Sequence, residues 1–293
     1  MSKPKILIQL DPDSHVSTFD SVVAIDSGVD QLLTHSNVSV EQVEGIVHGA
    51  MFTRGPGDLR STALFFGGSD VKKTEAIVEA AKNCFFGPMR VSVLSDPNGC
   101  NTTASAAVIC AQKHIDLSDK TVTILAGTGP VGQRVAQIIG GPAVDQSSPP
   151  TVRICSRRME KAVTVCEYLT QKIGGNFVPT QGGSAAESLA AIEGADAVFA
   201  CGAAGVELLP ADWAERSALP AVVVDLNAVP PVGVAGVGVM DNGVTKENGT
   251  VCFGAIGVGG LKMKIHKRAL QMLFESNDQV LEVEEVYEIG RSL

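Results

Sequence analysis

Three glycines at fixed spacing have the clearest chemical potential in this chain of 293 residues. Gly127, Gly129 and Gly132 follow the β-rich run TVTIL and precede an apolar helical pattern that continues to residue 139. In that context the first glycine allows a tight turn, the second lets backbone amides approach a pyrophosphate, and the third lets helix and strand pack closely. The unpaired N–H groups of the helix start also favour phosphate. We therefore predict a dinucleotide-binding turn, the alternative being a flexible turn without a ligand. Its predicted contacts are Gly127, Thr128, Gly129, Pro130, Val131 and Gly132.

The end of the next strand indicates which dinucleotide is bound. Residues 151–155 read as the second strand of the cofactor unit, and Ser156, Arg157 and Arg158 follow it. A site that prefers NAD usually offers an acidic residue to the ribose hydroxyls at this point, whereas two guanidinium groups and a hydroxyl suit a 2′-phosphate. The residues favour NADP and leave NAD possible. The alternative is a pair of arginines at a solvated helix start.

Small and polar residues follow two later strands. The run at residues 196–201 is followed by Gly202 and Ala203, and the run at residues 221–226 by Asn227. Small residues such as Ala203 would leave room for the nicotinamide ribose. Asn227 either hydrogen-bonds the nicotinamide carboxamide or closes a turn before two prolines.

Alternating strands and helices must position these residues. Between residues 120 and 226 the alternation predicts an α/β fold with a doubly wound, Rossmann-like parallel sheet. The N-terminal part also reads as α/β, with strands at residues 5–10 and 91–94 and a helix at 19–25 capped by Ser17 or Thr18. We expect the C-terminal helices to complete this part. The predicted substrate domain is therefore residues 1–116 and 262–293, and the predicted NADP-binding domain is residues 117–261.

Four further segments have a distinctive local composition. Asn101, Thr102 and Thr103 start a helix after a polar loop, so they either bind a substrate or cap the helix. Residues 140–150 read as a loop or short insertion, and residues 233–239 as a strand and loop. Residues 253–260 read as a flexible approach to a basic helix, with a hinge at the glycines of residues 257–260.

Composition argues against several functions. Apolar residues make up 45% and the formal net charge is −9, so we expect a globular protein that binds neither nucleic acid nor an anionic membrane surface. Seven cysteines and five histidines show no CxxC or HExxH spacing, so we predict no metal and reduced thiols. No apolar run approaches the ~20 residues of a membrane helix, and the N-terminus lacks a signal-peptide pattern. These features predict a cytoplasmic protein.

Seven segments spread over the chain resemble one enzyme family. The chain resembles the NAD(P)-dependent methylene-tetrahydromethanopterin dehydrogenases of methylotrophic bacteria from residue 6 to about residue 287. The segments are KILIQLDPD, STFDSVVAIDSGVD, MFTRGPGD, FFGPMRVSVLSDPNGCNTTASA, LAGTGPVGQR, VDLNAVPPVG and FGAIGVGGLKMKIHKRALQMLFES. The resemblance implies that NADP oxidises the methylene group of a tetrahydropterin carrier without flavin or metal. It also implies a homo-oligomer, with a trimer as the expected form.

The implied reaction selects further residues. Loss of hydride leaves a cation delocalised over an N–C–N unit, so no base is needed and a nearby carboxylate helps. Asp20 is the first candidate for that carboxylate, and the resemblance places Lys262 near the pterin. For both, the alternative is a solvated helix face. Arg54 is a weaker candidate for substrate binding.

Three other functions are compatible with the sequence. They are oxidation of methylene-tetrahydrofolate, another NADP-dependent dehydrogenase reaction such as that of a shikimate dehydrogenase, and NADP binding by a regulator without chemistry. The chain lacks the overall pattern, including a catalytic lysine, of bifunctional folate dehydrogenase–cyclohydrolases. We therefore predict dehydrogenase activity without efficient cyclohydrolase activity.

Overall fold

The computed structural model describes residues 3–141 and 148–293 and divides the chain into two compact units. The first unit combines the chain up to Thr102 with Met263–Leu293, and the second is Thr103–Lys262. Each contains a largely parallel sheet with helices. The predicted α/β class is confirmed.

The sheet of the first unit consists of parallel strands in the order β12-β4-β3-β1-β2. The strands are β1 (Ile6–Leu10), β2 (Gln31–His35), β3 (Thr62–Phe66), β4 (Ser92–Ser95) and β12 (Val280–Leu281). Read from the other edge, this is the 2-1-3-4-5 order of flavodoxin-like sheets, with the last strand supplied by the C-terminal part of the chain. The order reverses between β1 and β3, and ligands of such sheets bind at the carboxyl ends of the strands at that point.

The helices of the first unit pack on both faces of this sheet. They are α1 (Thr18–Asp26), α2 (Val40–Phe52), α3 (Val71–Asn83), α9 (Val283–Arg291), the beginning of α4 (Cys100–Gln112) and the part of α8 (Ala255–Met272) from Met263 onward. Leu10, Leu64 and Phe66 form one core with apolar residues of α2 and α3. Side chains alternate across a strand, so Gln9 and its register partner Phe65 face the other side. Ser17 caps α1, accepting a hydrogen bond from the Asp20 N–H, as one of the two predicted caps.

The sheet of the second unit has the order β10-β11-β9-β8-β5-β6-β7. Its strands are β5 (Thr121–Leu125), β6 (Thr151–Ser156), β7 (Asn176–Gln181), β8 (Ala197–Ala200), β9 (Val222–Asp225), β10 (Asn242–Thr245) and β11 (Val251–Phe253). All neighbouring pairs are parallel except β10 with β11. Without β10, this is the 3-2-1-4-5-6 order of a dinucleotide-binding fold. The doubly wound prediction is confirmed.

Helices connect these strands as the alternating pattern predicted. They are the rest of α4, α5 (Pro130–Gly140), α6 (Met159–Ile173), α7 (Ala185–Ala191) and the start of α8 (Ala255–Met272). The loop predicted at residues 140–150 lies largely outside the described residues, which omit 142–147. Among the described helices, none combines the length and apolar character that a bilayer crossing requires.

Two predictions for the glycine-rich segments are wrong. Residues 233–239 contain turns, with a single bridge from Val234 to Leu209, and the described residues there form no strand. The segment at 253–260 is helical from Ala255, where α8 begins. A Cβ on Gly254 or Gly257 would overlap backbone atoms of residues 238–241. These two glycines therefore serve close packing rather than flexibility.

Candidate functional sites

The glycine turn after β5 is tightly packed against the start of α5. Ala126 adopts a positive φ of 52°. A Cβ on Gly127 would lie 2.9 Å from the Ile124 carbonyl oxygen, and one on Gly132 would lie 2.6 Å from the Gly127 Cα. Both contacts are too close for a side chain, so the turn and its packing against α5 need glycine at these positions.

Gly129 differs because its surroundings are open. A Cβ there would come no closer than 3.5 Å to the Ala126 carbonyl oxygen, and the φ of Gly129 is an ordinary −77°. The folded chain itself therefore tolerates a side chain at Gly129. Gly129 caps α5, Pro130 is its first residue, and Val131 follows. The open space lies at a helix N-terminus, where backbone N–H groups favour phosphate.

The end of β6 is tied directly to the glycine turn. The Ser156 hydroxyl accepts a hydrogen bond from the Arg158 N–H (3.2 Å) and lies 3.4 Å from the Thr128 hydroxyl, which donates to it. The side chains of Arg157 and Arg158 are exposed, and across residues 3–141 and 148–293 neither guanidinium bonds to a protein group. The structure thus brings Ser156, and the two residues after it, beside the turn.

Asn227 closes a turn. Its carboxamide oxygen accepts hydrogen bonds from the Gly205 and Val229 N–H groups, and its nitrogen donates to the Pro231 carbonyl oxygen. Asn227 is buried. These bonds favour the turn-closing alternative over direct contact with a nicotinamide carboxamide. Ala203, after β8, is exposed.

Asp225 at the end of β9 was not selected from the sequence. Its carboxylate accepts hydrogen bonds from the Asn227 N–H (3.0 Å) and the Val234 N–H (2.9 Å). Burial raises the pKa of this carboxyl above its usual value, and the hydrogen bonds from Asn227 and Val234 oppose that shift. An acidic residue that ends an apolar strand before an asparagine is the signal that could have identified it.

Two carboxylates in the first unit lie near one point, at the reversal between β1 and β3. A Cβ on Gly67 would lie 3.5 Å from Asp11 Oδ2, 3.6 Å from Asp20 Oδ2 and 3.3 Å from the Phe65 ring. Asp11 and Asp20 are both buried. The structure therefore places Asp20 at the edge of the sheet where a ligand is expected.

Asp11, like Asp225, was missed by the sequence reasoning. Burial raises the pKa of the Asp11 carboxyl, hydrogen bonds from the backbone of Asp13 and Ser17 oppose the shift, and the negative charge of Asp13 adds to it. Its position after an apolar strand, in the sequence Asp11-Pro12-Asp13, was interpreted only as a turn signal.

His266 on α8 contributes an aromatic wall in the first unit. The ring of His266 lies 5.8 Å from the Phe65 ring and 6.5 Å from the Phe19 ring, measured between centroids. Lys262 lies four residues earlier on the same helix and is half-buried, whereas Lys264 is exposed. Residues four apart share one helix face. Lys262 thus lies on the same face of α8 as His266.

The loop after β4 is held by Asp96. The Asp96 carboxylate accepts hydrogen bonds from the N–H groups of Asn101 (2.9 Å) and Thr102 (3.1 Å) and from the Thr102 hydroxyl (2.6 Å). The Asn101 side chain donates to the Ser95 carbonyl oxygen at 2.7 Å. Asn101 and Thr102 are buried, while Thr103 is half-buried. The structure thus gives Asn101 and Thr102 a structural role at the start of α4.

Arg54 is not brought to this edge of the sheet. Its guanidinium donates to the carbonyl oxygens of Ser61 (2.7 Å) and Pro4 (3.1 Å). These residues precede β3 and β1, so Arg54 lies at the amino ends of the strands, opposite Asp20. The structure supports a structural role for Arg54.

Among residues 3–141 and 148–293, no cluster of three or more histidine, cysteine or acidic side chains could hold a metal ion. The seven cysteines are free thiols.

Comparison with known proteins identifies relatives over the whole chain. The family described as "Methylene-tetrahydromethanopterin dehydrogenase, N-terminal" matches residues 18–98. The "Bifunctional protein MdtA" of Methylorubrum extorquens is 39% identical over 100% of both chains. The "NAD(P)-dependent methylenetetrahydromethanopterin dehydrogenase" of the same organism is 30% identical over 97% of both chains.

A solved structure supports the fold. The shikimate 5-dehydrogenase of Listeria monocytogenes, in complex with shikimate and NAD, superposes with a TM-score of 0.55 over 98% of this chain and 96% of its own. Its sequence identity to this chain is 13%. At that identity the likeness concerns the arrangement of strands and helices alone.

Proposed function

Because the chain belongs to the methylene-tetrahydromethanopterin dehydrogenase family, we infer that it removes a hydride from the methylene group of methylene-tetrahydromethanopterin and forms the methenyl product. The observation that carries this function is the 30% identity to the named dehydrogenase over 97% of both chains. The resemblance found in the sequence is thereby confirmed. The chain is an oxidoreductase.

We propose that NADP binds at the carboxyl edge of the second sheet. When bound, NADP supplies the oxidised nicotinamide that accepts the hydride. The turn from Gly127 to Gly132, together with the first N–H groups of α5, would hold the pyrophosphate. Ala203 would border the nicotinamide ribose. Asn227 would contribute to NADP binding indirectly, by closing the turn after β9.

The preference for NADP over NAD is proposed from Ser156, Arg157 and Arg158. Arg158 is the N-cap residue of α6. Positive side chains are unfavourable at a helix N-terminus, because they face the positive end of the helix dipole. A bound 2′-phosphate would reverse that cost, since it would accept charge-assisted hydrogen bonds from both guanidinium groups and from the Ser156 hydroxyl.

We propose that the pterin binds in the first unit, at the carboxyl ends of β1, β3 and β4. Support comes from the position of Asp20 beside Gly67 and from the reversal of strand order there. Asn101 and Thr102, held by Asp96, would shape the part of this edge that follows β4. Thr103 follows them on α4, is half-buried, and would offer its hydroxyl for hydrogen bonding.

The roles of Asp20 and Lys262 follow from the charge that develops during the reaction. The methylene carbon becomes part of a cation, and a carboxylate at Asp20 would stabilise that charge in a buried environment. A protonated lysine beside the same carbon would oppose it. We therefore propose that Lys262 binds a carbonyl or carboxylate group of the pterin, away from the reacting carbon.

Crossed steady-state assays test this function. The protein is supplied with the methylene derivatives of tetrahydromethanopterin and tetrahydrofolate, each with NADP or NAD, and the absorbance of reduced nicotinamide is followed. We expect the largest kcat/KM with methylene-tetrahydromethanopterin and NADP. Turnover of a hydroxy acid but of neither pterin would contradict the proposal, and so would NADP binding without any turnover.

We also propose that the protein acts in the cytoplasm as a homo-oligomer. Free thiols at all seven cysteines suit a reducing compartment. The rings of Phe52 and Phe86 are exposed and 6.2 Å apart in the first unit, and such apolar surface suits a subunit contact. Sedimentation equilibrium separates a 30.4 kDa monomer from the proposed trimer.

A further inference from the structure

Two buried polar residues near the end of β1, separated by one position, face α1. Gln9 and Asp11 lie on the face of the first sheet opposite the core that contains Leu10. Both are at most 1% exposed. Buried polar side chains need hydrogen-bond partners, and those of Gln9 and Asp11 are found at the start of α1.

Asp11 holds the chain between β1 and α1 at two points. Its Oδ1 accepts a hydrogen bond from the Asp13 N–H (2.9 Å), and its Oδ2 accepts one from the Ser17 N–H (3.3 Å). The first bond closes a local turn. The second spans six residues and fixes the position of Ser17.

Ser17 connects Asp11 to Asp20 through a second hydrogen bond. Its hydroxyl accepts a hydrogen bond from the Asp20 N–H at 3.3 Å, so it fixes the first turn of α1 at the residue whose carboxylate is proposed to face the reacting cation. Gln9 adds a second link, because its side-chain oxygen accepts a hydrogen bond from the Ser21 hydroxyl at 2.9 Å. Asp11 and Gln9 thus hold Ser17 and Ser21, which lie on either side of Asp20.

We propose that Asp11 is a positioning residue for the dehydrogenase reaction: through Ser17, it holds the carboxylate of Asp20 beside Gly67. The proposal rests on the proposed function, in which Asp20 stabilises the developing cation. Displacement of a reacting or stabilising group by about 1 Å can lower a rate by roughly 100-fold. A hydrogen-bonded connection that fixes the Asp20 backbone is therefore expected to affect kcat.

Asp11→Asn is the most direct test. The Asp13 and Ser17 N–H groups bond to different oxygens of Asp11. Asparagine replaces one of these oxygens by an NH2 donor, so one of the two N–H groups loses its acceptor. With methylene-tetrahydromethanopterin and NADP we expect kcat to fall roughly 10-fold or more, while the Kd of NADP measured without the pterin changes less than about twofold. An unchanged kcat would overturn the proposal.

Ser17 supplies a second test if Asp11→Asn does not fold. Ser17→Ala removes the hydroxyl that accepts from the Asp20 N–H, and Ser17→Thr restores an acceptor. We expect Ser17→Ala to lower kcat and Ser17→Thr to recover most of it. Equal kcat values for these two variants and the unmodified protein would contradict the inference.

Ser27→Ala is the matched control at the other end of α1. The Ser27 hydroxyl donates to the Val23 carbonyl oxygen at 2.6 Å, and the residue is buried. Its loss is expected to lower stability without changing kcat. A fall in kcat equal to that of Ser17→Ala would show a general effect of helix stability and overturn the positioning role.

Amide hydrogen exchange separates this inference from the proposed function. Asp11→Asn should speed exchange of the Ser17 and Asp20 N–H groups, whether or not the pterin is the substrate. If the unmodified protein does not turn over the pterin, the proposed function fails, while faster exchange still supports the connection from Asp11 to Asp20. Unchanged exchange in Asp11→Asn overturns the connection itself.

Discussion

Replacement of Arg157 and Arg158 by alanine isolates the recognition of the 2′-phosphate. Both side chains are exposed, and within the described parts of the chain they bond to no protein group. Their removal is therefore expected to change the free energy of unfolding by less than ~0.5 kcal/mol. Loss of positive charge at the N-terminus of α6 is, if anything, stabilising. A change in NADP binding by these variants would thus not result from a change in folding stability.

The size of the effect follows from the exposure of the two guanidinium groups. A charge-assisted hydrogen bond contributes about 1.5–3 kcal/mol, and solvent screening favours the low end here. About 1.4 kcal/mol per arginine corresponds to a tenfold rise in the KM of NADP for each single variant. The double variant should approach a 100-fold rise if the two contacts are additive. The KM of NAD should change less than about twofold, because NAD carries no 2′-phosphate.

The assay measures KM for NADP and for NAD at saturating methylene-tetrahydromethanopterin, at low and at high ionic strength. The rise in the NADP KM should be smaller at high salt, since screening already weakens the contacts. Lys113→Ala is the control for net charge, because exposed Lys113 follows α4 and precedes β5, at the opposite end of the strand from the glycine turn. An unchanged NADP KM in the double variant, or an equal rise for NAD, would refute the assignment.

Four further outcomes follow from the structure. Gly129→Ala should leave the melting temperature nearly unchanged, because the new Cβ would come no closer than 3.5 Å to the chain. It should weaken NADP binding in a fluorescence titration, because that Cβ would occupy the proposed phosphate space; equal affinity would contradict this. Gly257→Ala should destabilise by about 1–3 kcal/mol in urea through overlap with the Asp241 carbonyl. Gly259→Ala, with no described atom within 4 Å of the new Cβ, should stabilise α8 by up to ~1 kcal/mol. Burial raises the pKa of the Asp225 carboxyl above its ordinary 3.8, so the folded state holds the carboxyl proton more tightly than the unfolded state does. The contribution of this carboxyl to the free energy of unfolding is therefore lost as pH rises through the folded pKa. The unfolding free energy of the unmodified protein should fall over that window relative to Asp225→Asn, and parallel pH curves would refute the shift.

The sequence predicted the elements whose conformation is determined by residues close to one another in the chain. The strand, glycine turn and helix around Gly127 and Gly132 have the expected arrangement, since steric contact decides those positions. The α7 helix begins after Ser184, which forms a reciprocal capping pair with Glu187 three residues later, a spacing that is visible in the sequence itself. In both cases, residues close in sequence determine the conformation.

The sequence did not predict elements that depend on distant partners. The β2 strand is an edge strand with mostly exposed residues, so it lacks a clear apolar alternation. The β7 strand contains Pro179, which usually argues against a strand. The helical start at Ala255 was missed because glycine was interpreted as flexible, whereas contact with residues 238–241 requires it there.

The same distinction applies to the candidate sites. The positions of Asp20 and Lys262 were selected from expected chemistry, and their catalytic and binding roles stay predictions, as do the domain limits at residues 116 and 262. Asp11, Asp96 and Asp225 were missed because their partners, chiefly backbone N–H groups, are brought together only by the folded loop.

Strand β12 has a consequence for the order in which the protein folds during synthesis. Residues of the second unit are contiguous, whereas β4 pairs with a strand near the end of the chain, and the Gln279 N–H that bonds to Ser92 lies 187 residues away. At roughly 5–20 residues per second, a ribosome needs about 10–40 s to make that intervening segment. During that interval the nucleotide-binding unit can fold, while β4 remains an open edge. Unpaired strand edges promote association between chains, so the nascent chain is most vulnerable to aggregation before its last helix is made.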